Sequence, residues 1–272
     1  MITYQKSLLE IGETWFDEET DAAPVDIVCH RYSQQPIKDG ISNAFYTITV
    51  DLMQEQDSLL ANMKKGTRYE IRRAATTDDL IYKHWSTNCR EVLPEFFEFY
   101  NKFAAQKGLL PANRARLELL ARNNVLDISR VSKDDETLVW HGFFRGKRRV
   151  QLISSASLFR ASKDSVYRNF IGRANRYHHW LDMLRFKKGG FSHYGFGVWY
   201  TGTEKAKLTI NDFKSEFGGE LGKRFECKKA LTIKGKLALR CAQILQSVRS
   251  DKPWLKFIFL IALTPYVIVQ PV

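Results

Sequence analysis

A chain of 272 residues with 44% hydrophobic and 26% charged side chains has ordinary globular composition and enough apolar material for one large or two small domains, which excludes a low-complexity or fibrous polymer. The 42 Lys and Arg against 30 Asp and Glu leave a formal charge of +12, which points to anionic partners such as nucleic acid, anionic lipid, coenzyme A or a sugar nucleotide. Four scattered cysteines (Cys29, Cys89, Cys227, Cys241) form no CxxC pair and no cluster with histidine, so no disulfide framework or metal site is expected and the thiols are read as reduced.

The opening residues MITYQKSLLEIGETW have no basic segment followed by an apolar run; no signal peptide is expected, and the chain is read as cytoplasmic. Strands are predicted at 2–7, 25–33 and, from its β-branched and aromatic alternation, 44–52. A helix is predicted from Gln54 to Ala75 with a basic end, a strand at 80–85, and a Phe/Tyr-faced helix from Glu91 to Lys107 stopped by Gly108. Asn113 is placed to cap a helix running to Arg122. Strands at 125–132, 136–145 and 148–156 follow, the last two joined by a tight turn at Gly146-Lys147. A long helix over 164–188 then leads to a strand at 191–198, a helix at 204–216, a strand at 225–233 and a helix at 235–250. That order predicts a mixed α/β (α+β) fold with a mostly antiparallel sheet, and no GxGxxG or GxxxxGK[ST] follows a strand. The apolar tail 254–272 has an uninterrupted run only from Phe257 to Leu263, too short to span a bilayer; it is read as a final strand or core segment, with contact to an anionic membrane as the alternative.

The 164–188 helix carries the most informative residues. Asn175, His179 and Asp182 follow an i, i+4, i+7 spacing and share one face, while His178 is expected to be exposed. An unperturbed histidine titrates near neutrality, which suits His179 to a general base or ligand-orienting donor, although periodicity alone slightly favours Asn175 and His179 satisfying buried backbone groups. The segment Ser157 to Lys163, with Arg160, precedes the helix start and has the makings of an anion site. Lys64 to Arg73, with Arg68 and Arg72, offers guanidinium forks to phosphate oxygens, or an exposed helical turn.

Four segments in order, 46–74 (YTITVDL…MKKGTRYEIRRA), 155–191 (SASLFRASKDSVYRNFIGRANRYHHWLDMLRFKKGGF), 193–197 (HYGFG) and 210–221 (INDFKSEFGGEL), resemble the GCN5-related N-acyltransferase superfamily in its Fem-type branch. That branch includes peptidoglycan interpeptide-bridge aminoacyltransferases and short homologues associated with surface polysaccharides. The resemblance implies an acyl-CoA (acetyl-CoA) or aminoacyl-tRNA donor and no metal. It also implies a cleft bordered by Asn175, Arg176 and His179, a strand with Tyr194, Phe196 and Gly197 beside the donor, and Lys214, Phe217 and Gly218 on the next element. The chain departs from the pattern Tyr-Asp-Phe-Gly-Gly: it has Tyr194-Gly195-Phe196-Gly197-Val198, without the carboxylate, which leaves His179 or Asp182 to handle the proton.

The implied organisation is a partial acyltransferase-like subdomain at 1–88, a core domain at 89–233, and a basic helix and apolar tail at 234–272. The implied activity is N-acyl transfer, acetyl or aminoacyl, to an amino-sugar or lipid-linked glycan precursor in surface-polysaccharide or peptidoglycan biosynthesis, at the inner face of the membrane. Arg68, Arg72, Arg160 and Arg176 would hold phosphates. The alternative is a non-catalytic module that binds a nucleotide sugar or tRNA.

Overall fold

The computed structural model describes residues 1–159 and 164–251, with the side chains of the last helix described to residue 244. Two compact units divide the chain: Met1–Tyr46 with the segment from Lys223, and Thr47–Gly222. These limits differ from 88/89 and 233/234 because the chain passes from one unit to the other inside two strands, β4 (Ile41–Asp51) and β10 (Glu220–Ala230), rather than in loops.

In the first unit, β1 (Ile2–Lys6) and β2 (Leu9–Trp15) form a hairpin, β3 (Ile27–Ser33) lies parallel to β2, and β10 returns antiparallel to β3 with Lys228 opposite Cys29. Ile11, Ile27 and Cys29 form its buried apolar cluster, against which Ala238 and Leu239 of α7 (Ile233–Asp251) pack. The pattern of β2 missed in the sequence, LEIGETW, alternates in a way that buries Glu13. That carboxylate and Glu226 flank Arg31, whose Nη1 donates to Glu226 Oε2 at 2.7 Å and Nη2 to Glu13 Oε2 at 3.2 Å. Burial opposes charging Arg31, but the two carboxylates outweigh it and hold its pKa above the ordinary value. Arg31→Met strands both acids in the interior and is expected to cost about 3–5 kcal/mol; a denaturation midpoint unchanged from the parent chain would refute this.

The second unit has strand order β4-β9-β8-β7-β6-β5. Strand β5 (Ile81–Trp85) pairs antiparallel with β6 (Leu126–Lys133), and β6, β7 (Glu136–Arg145) and β8 (Arg149–Ser157) form an antiparallel meander. Helix α5 (Ser165–Lys188) connects β8 to β9 (His193–Trp199), which runs parallel to β8, as parallel neighbours require a crossover. Asp164 caps α5 by accepting from the Val166 N–H. The predicted helix Gln54–Ala75 is two helices, α1 (Gln56–Ala61) and α2 (Lys65–Thr77). The break frees the Lys64 N–H to donate to the Glu216 carbonyl, at the end of α6 (Lys205–Ser215). Helices α3 (Cys89–Lys107) and α4 (Arg114–Arg122) end as expected at a left-handed Gly108 and begin at the Asn113 cap. The core is a cluster that includes Val50, Leu59, Phe143, Leu152, Met183, Phe186, Tyr194 and Phe217.

Candidate active site

Helix α5 turns an unusually polar face toward the sheet. Asp182 is fully buried; the Tyr82 O–H donates to its Oδ1 at 2.8 Å, and its Oδ2 lies 2.7 Å from His141 Nδ1 and 3.5 Å from His178 Nε2. Arg185 Nε donates to the Tyr82 oxygen and its other nitrogens to Asp127, so a continuous polar chain runs Asp127–Arg185–Tyr82–Asp182–His141. Burial pushes the Asp182 carboxyl up, but the His178 and His141 rings and Arg185 outweigh it and hold its pKa at about 2. Asn175 Oδ1 lies 3.0 Å from His141 Nε2 and extends the chain to a half-buried residue.

The rings of His178, His141 and His179 stack at centroid spacings of 3.8 and 4.1 Å. His178, expected to be exposed, is fully buried, with Nε2 2.8 Å from Ser129 Oγ and Nδ1 unpartnered. The helix places positions 178 and 182 on the same face as 175, so burying Asp182 buries His178 with it. Donor atoms of His141, His178 and Asp182 lie within 4.8 Å of one another. A metal needs ring lone pairs that converge, whereas rings 7° from parallel point theirs side by side. The geometry suits a hydrogen-bonded network instead.

His179 is 1% exposed; its Nδ1 lies 2.7 Å from the Tyr194 hydroxyl, and Phe196, Phe213 and Phe217 surround the ring. Burial and the neighbouring His141 push its pKa well below the ordinary value, so the ring is neutral near pH 7. The three residues of the proposed catalytic face thus divide: His179 and Asp182, read as handlers of the proton, are sealed inside, and Asn175 is partly accessible. Their side chains engage other side chains, not buried backbone groups.

Further candidate chemistry lies at the end of the β8–β9 ladder. Pairing covers only Arg149↔His193, Val150↔Tyr194 and Gln151↔Gly195, while β8 continues to Ser157 and β9 to Trp199. On the other side of β8, Phe143 pairs with Leu152 and Gly142 with Ser154, which leaves Ile153 as a bulge. Bulges re-aim backbone groups and recur beside active sites. Gly197 has φ +85°, a conformation glycine adopts without strain, and its carbonyl accepts from Thr47 Oγ1. Lys214 is 5% exposed; Nζ donates to the Val198 carbonyl at 2.7 Å, and burial lowers its pKa to about 8. No carboxylate of the described residues is within ion-pair distance of Nζ.

The arginines serve different ends. Arg176 pairs with Glu216, which also accepts from Thr67 Oγ1. Arg68, expected to hold phosphate, donates to the Ala61 and Met63 carbonyls at the end of α1, because the helix break leaves those carbonyls without helical partners. Arg72 is exposed on α2; Arg160 and the tail 254–272 lie outside the described residues. His141, Tyr82 and Gln151 escaped the sequence reading. The available signal was a lone polar residue inside an apolar strand, Trp140-His141-Gly142 and Val150-Gln151-Leu152.

No family model and no curated protein matches the sequence. Among solved structures, FemX aligns with a TM-score of 0.57 and 14% identity over 72% of this chain and 63% of that one, so the chain spans less than two thirds of FemX. The C-terminal domain (DUF2156) of a putative lysylphosphatidylglycerol synthetase from Agrobacterium fabrum aligns with a TM-score of 0.52 and 13% identity over 80% of this chain and 72% of that one. The chain shares its fold with FemX and with that C-terminal domain, a mixed α/β arrangement, as the Fem-type resemblance of the four sequence segments implied. Among the described residues no helix is long and apolar enough to cross a membrane.

Proposed function

We propose that the chain is an N-acyltransferase that moves an acyl group from a thioester donor to the amine of an amino-sugar or lipid-linked glycan precursor. The observation that carries this reading is the end of pairing between β8 and β9 after Gln151 and Gly195, beside the Ile153 bulge, in a Fem-like fold. Backbone N–H groups freed there are suited to bind the acyl carbonyl and the negative charge it gains on attack. The amine nitrogen forms a bond to the carbonyl carbon, the thiolate leaves, and the amine proton passes to a base. Lys214, with a pKa of about 8, has a neutral fraction able to take that proton near pH 7–8, directly or through water. The buried network of Asp182, His141 and Asn175 holds α5 in place, and His179 positions Tyr194. Surface-glycan biosynthesis, an acceptor at an anionic membrane, and exposed Arg72 as a phosphate contact complete the proposal.

The test is thiol release from acetyl-CoA across a panel of amino-sugars. Turnover supports the reading. Tight binding of a nucleotide sugar without turnover would favour the non-catalytic alternative, for which the missing motif carboxylate at Gly195 and the sealed His179 speak. Salt-sensitive tRNA binding with no use of acetyl-CoA would point to an aminoacyl-tRNA donor.

Lys214→Met separates structure from function. An uncompensated buried lysine with a pKa lowered from 10.5 to about 8 destabilises the fold below pH 8, by an amount on the order of 3 kcal/mol. Its penalty fades as pH rises from 8 toward 10.5. The variant is therefore expected to be more stable by about 1–3 kcal/mol at pH 7, with the gain shrinking above pH 8, and at least about 10²-fold less active. Full activity in the variant removes Lys214 from the mechanism.

A further inference from the structure

The place where the motif carboxylate is missing is already filled. Gly195 and Gln151 are register partners on the last rung of the β8–β9 ladder. A Cβ built on Gly195 would lie 2.2 Å from Gln151 Oε1 and 2.8 Å from its Cδ, and one on Gly197 would lie 3.9 Å from Gln151 Nε2. The Gln151 carboxamide therefore reaches across from β8 and lies against the β9 backbone between those two glycines, and it is 2% exposed. A neutral amide stands where the related pattern has a negative charge.

The surroundings do not restore that charge. Asp182 is taken up by Tyr82 and His141, and Glu216 by Arg176 and Thr67. Lys214 reaches the Val198 carbonyl, three residues along the same strand from Gly195. Burial and the neighbouring histidines, then Lys214 and Arg176, disfavour protonation of His179.

We infer that the acyl group this chain transfers carries no ammonium, being uncharged or acidic, and that Gln151, in place of a carboxylate at position 195, sets that choice. This inference rests on the acyl-transfer reading. An aminoacyl group would bring a cation to the end of the ladder, where Lys214 repels it and no free carboxylate of the described residues receives it. Repulsion between like charges in a partly buried site lowers kcat/KM by about 10-fold or more.

The experiment compares butyryl-CoA with β-alanyl-CoA, which differ in a terminal methyl against an ammonium, on the full chain at pH 7, where most Lys214 is charged, with the amino-sugar panel. Butyryl-CoA is expected to be preferred by at least about 10-fold in kcat/KM. Gln151→Glu, which keeps the side-chain shape and adds a carboxylate, is expected to narrow or reverse the ratio. The pair Gln151→Ala with Gly195→Asp, which moves the carboxylate to β9, is expected to do the same. Circular dichroism checks the fold of each. A wild-type preference for β-alanyl-CoA, or a ratio unmoved in folded Gln151→Glu, overturns this inference and leaves acyl transfer standing. Turnover of neither thioester with any amine overturns the acyl-transfer reading, and this inference with it.

Discussion

Asp182→Ala is expected to lower stability by about 3–5 kcal/mol, because it removes the acceptor shared by Tyr82 and His141 and leaves the buried donors around it unpartnered. Asp182→Asn retains one acceptor for the Tyr82 hydroxyl and lets His141 change tautomer, so a smaller loss of about 1–3 kcal/mol is expected. The change is read as a shift in urea midpoint by fluorescence of Trp140 and Trp180, both buried in the same unit. The pH dependence carries its own sign. A carboxyl whose folded pKa is held at about 2, against 3.8 ordinarily, contributes stability that is fully present above pH 4 and is lost as pH falls toward 2. That contribution is on the order of 2 kcal/mol, and the Asp182→Ala variant should lack it. Equal stability of variant and parent at pH 7 would show that the network is ornamental.

Gly195→Asp, which introduces the aspartate of the Tyr-Asp-Phe-Gly-Gly pattern that the chain resembles, is expected to be the second most damaging single change. Its Cβ overlaps the Gln151 carboxamide, and its carboxylate arrives where Gln151 is only 2% exposed. Overpacking and an uncompensated buried charge together cost about 4 kcal/mol or more. Removing the obstruction with Gln151→Ala should recover at least about 1–3 kcal/mol, a coupling that two independent sites would not show. Additive losses in the double variant would mean that the two residues do not share one space. Gly195 and the Gln151 carboxamide share one space, so a side chain at position 195 requires that carboxamide to move.

The elements were legible from sequence wherever local signals and tertiary packing agreed. The Asn113 cap, the Gly108 stop, the β6–β7–β8 meander and the long α5 all follow from such signals. The helix predicted through Gln54–Ala75 was not divided correctly, because nothing in MKKGT reveals that the Lys64 N–H will be claimed by Glu216, some 150 residues away. The candidate site was half legible. Helical spacing placed Asn175, His179 and Asp182 together, but spacing does not say how deep a face lies. That depth is set by the partners on β5 and β7, Tyr82 and His141. Arg68 illustrates the same limit: a basic residue in a basic run reads as a phosphate ligand until a helix end consumes it.

The order in which the chain leaves the ribosome gives the two-unit division a kinetic meaning. Strand β3 emerges early, yet its antiparallel partner β10 is made almost 200 residues later, after the whole of Thr47–Gly222. The continuous unit can complete its core while the other still consists of β1–β3 with the β3 edge unpaired. Closure of that edge must wait until β10 has been made, a long-range pairing of the kind that folds slowly. A nascent chain stalled before residue 220 would therefore expose a strand edge with apolar Ile27 and Cys29 along it, a template for pairing with another chain. The first unit, not the one that bears the candidate site, is where chaperone dependence and aggregation during expression should originate.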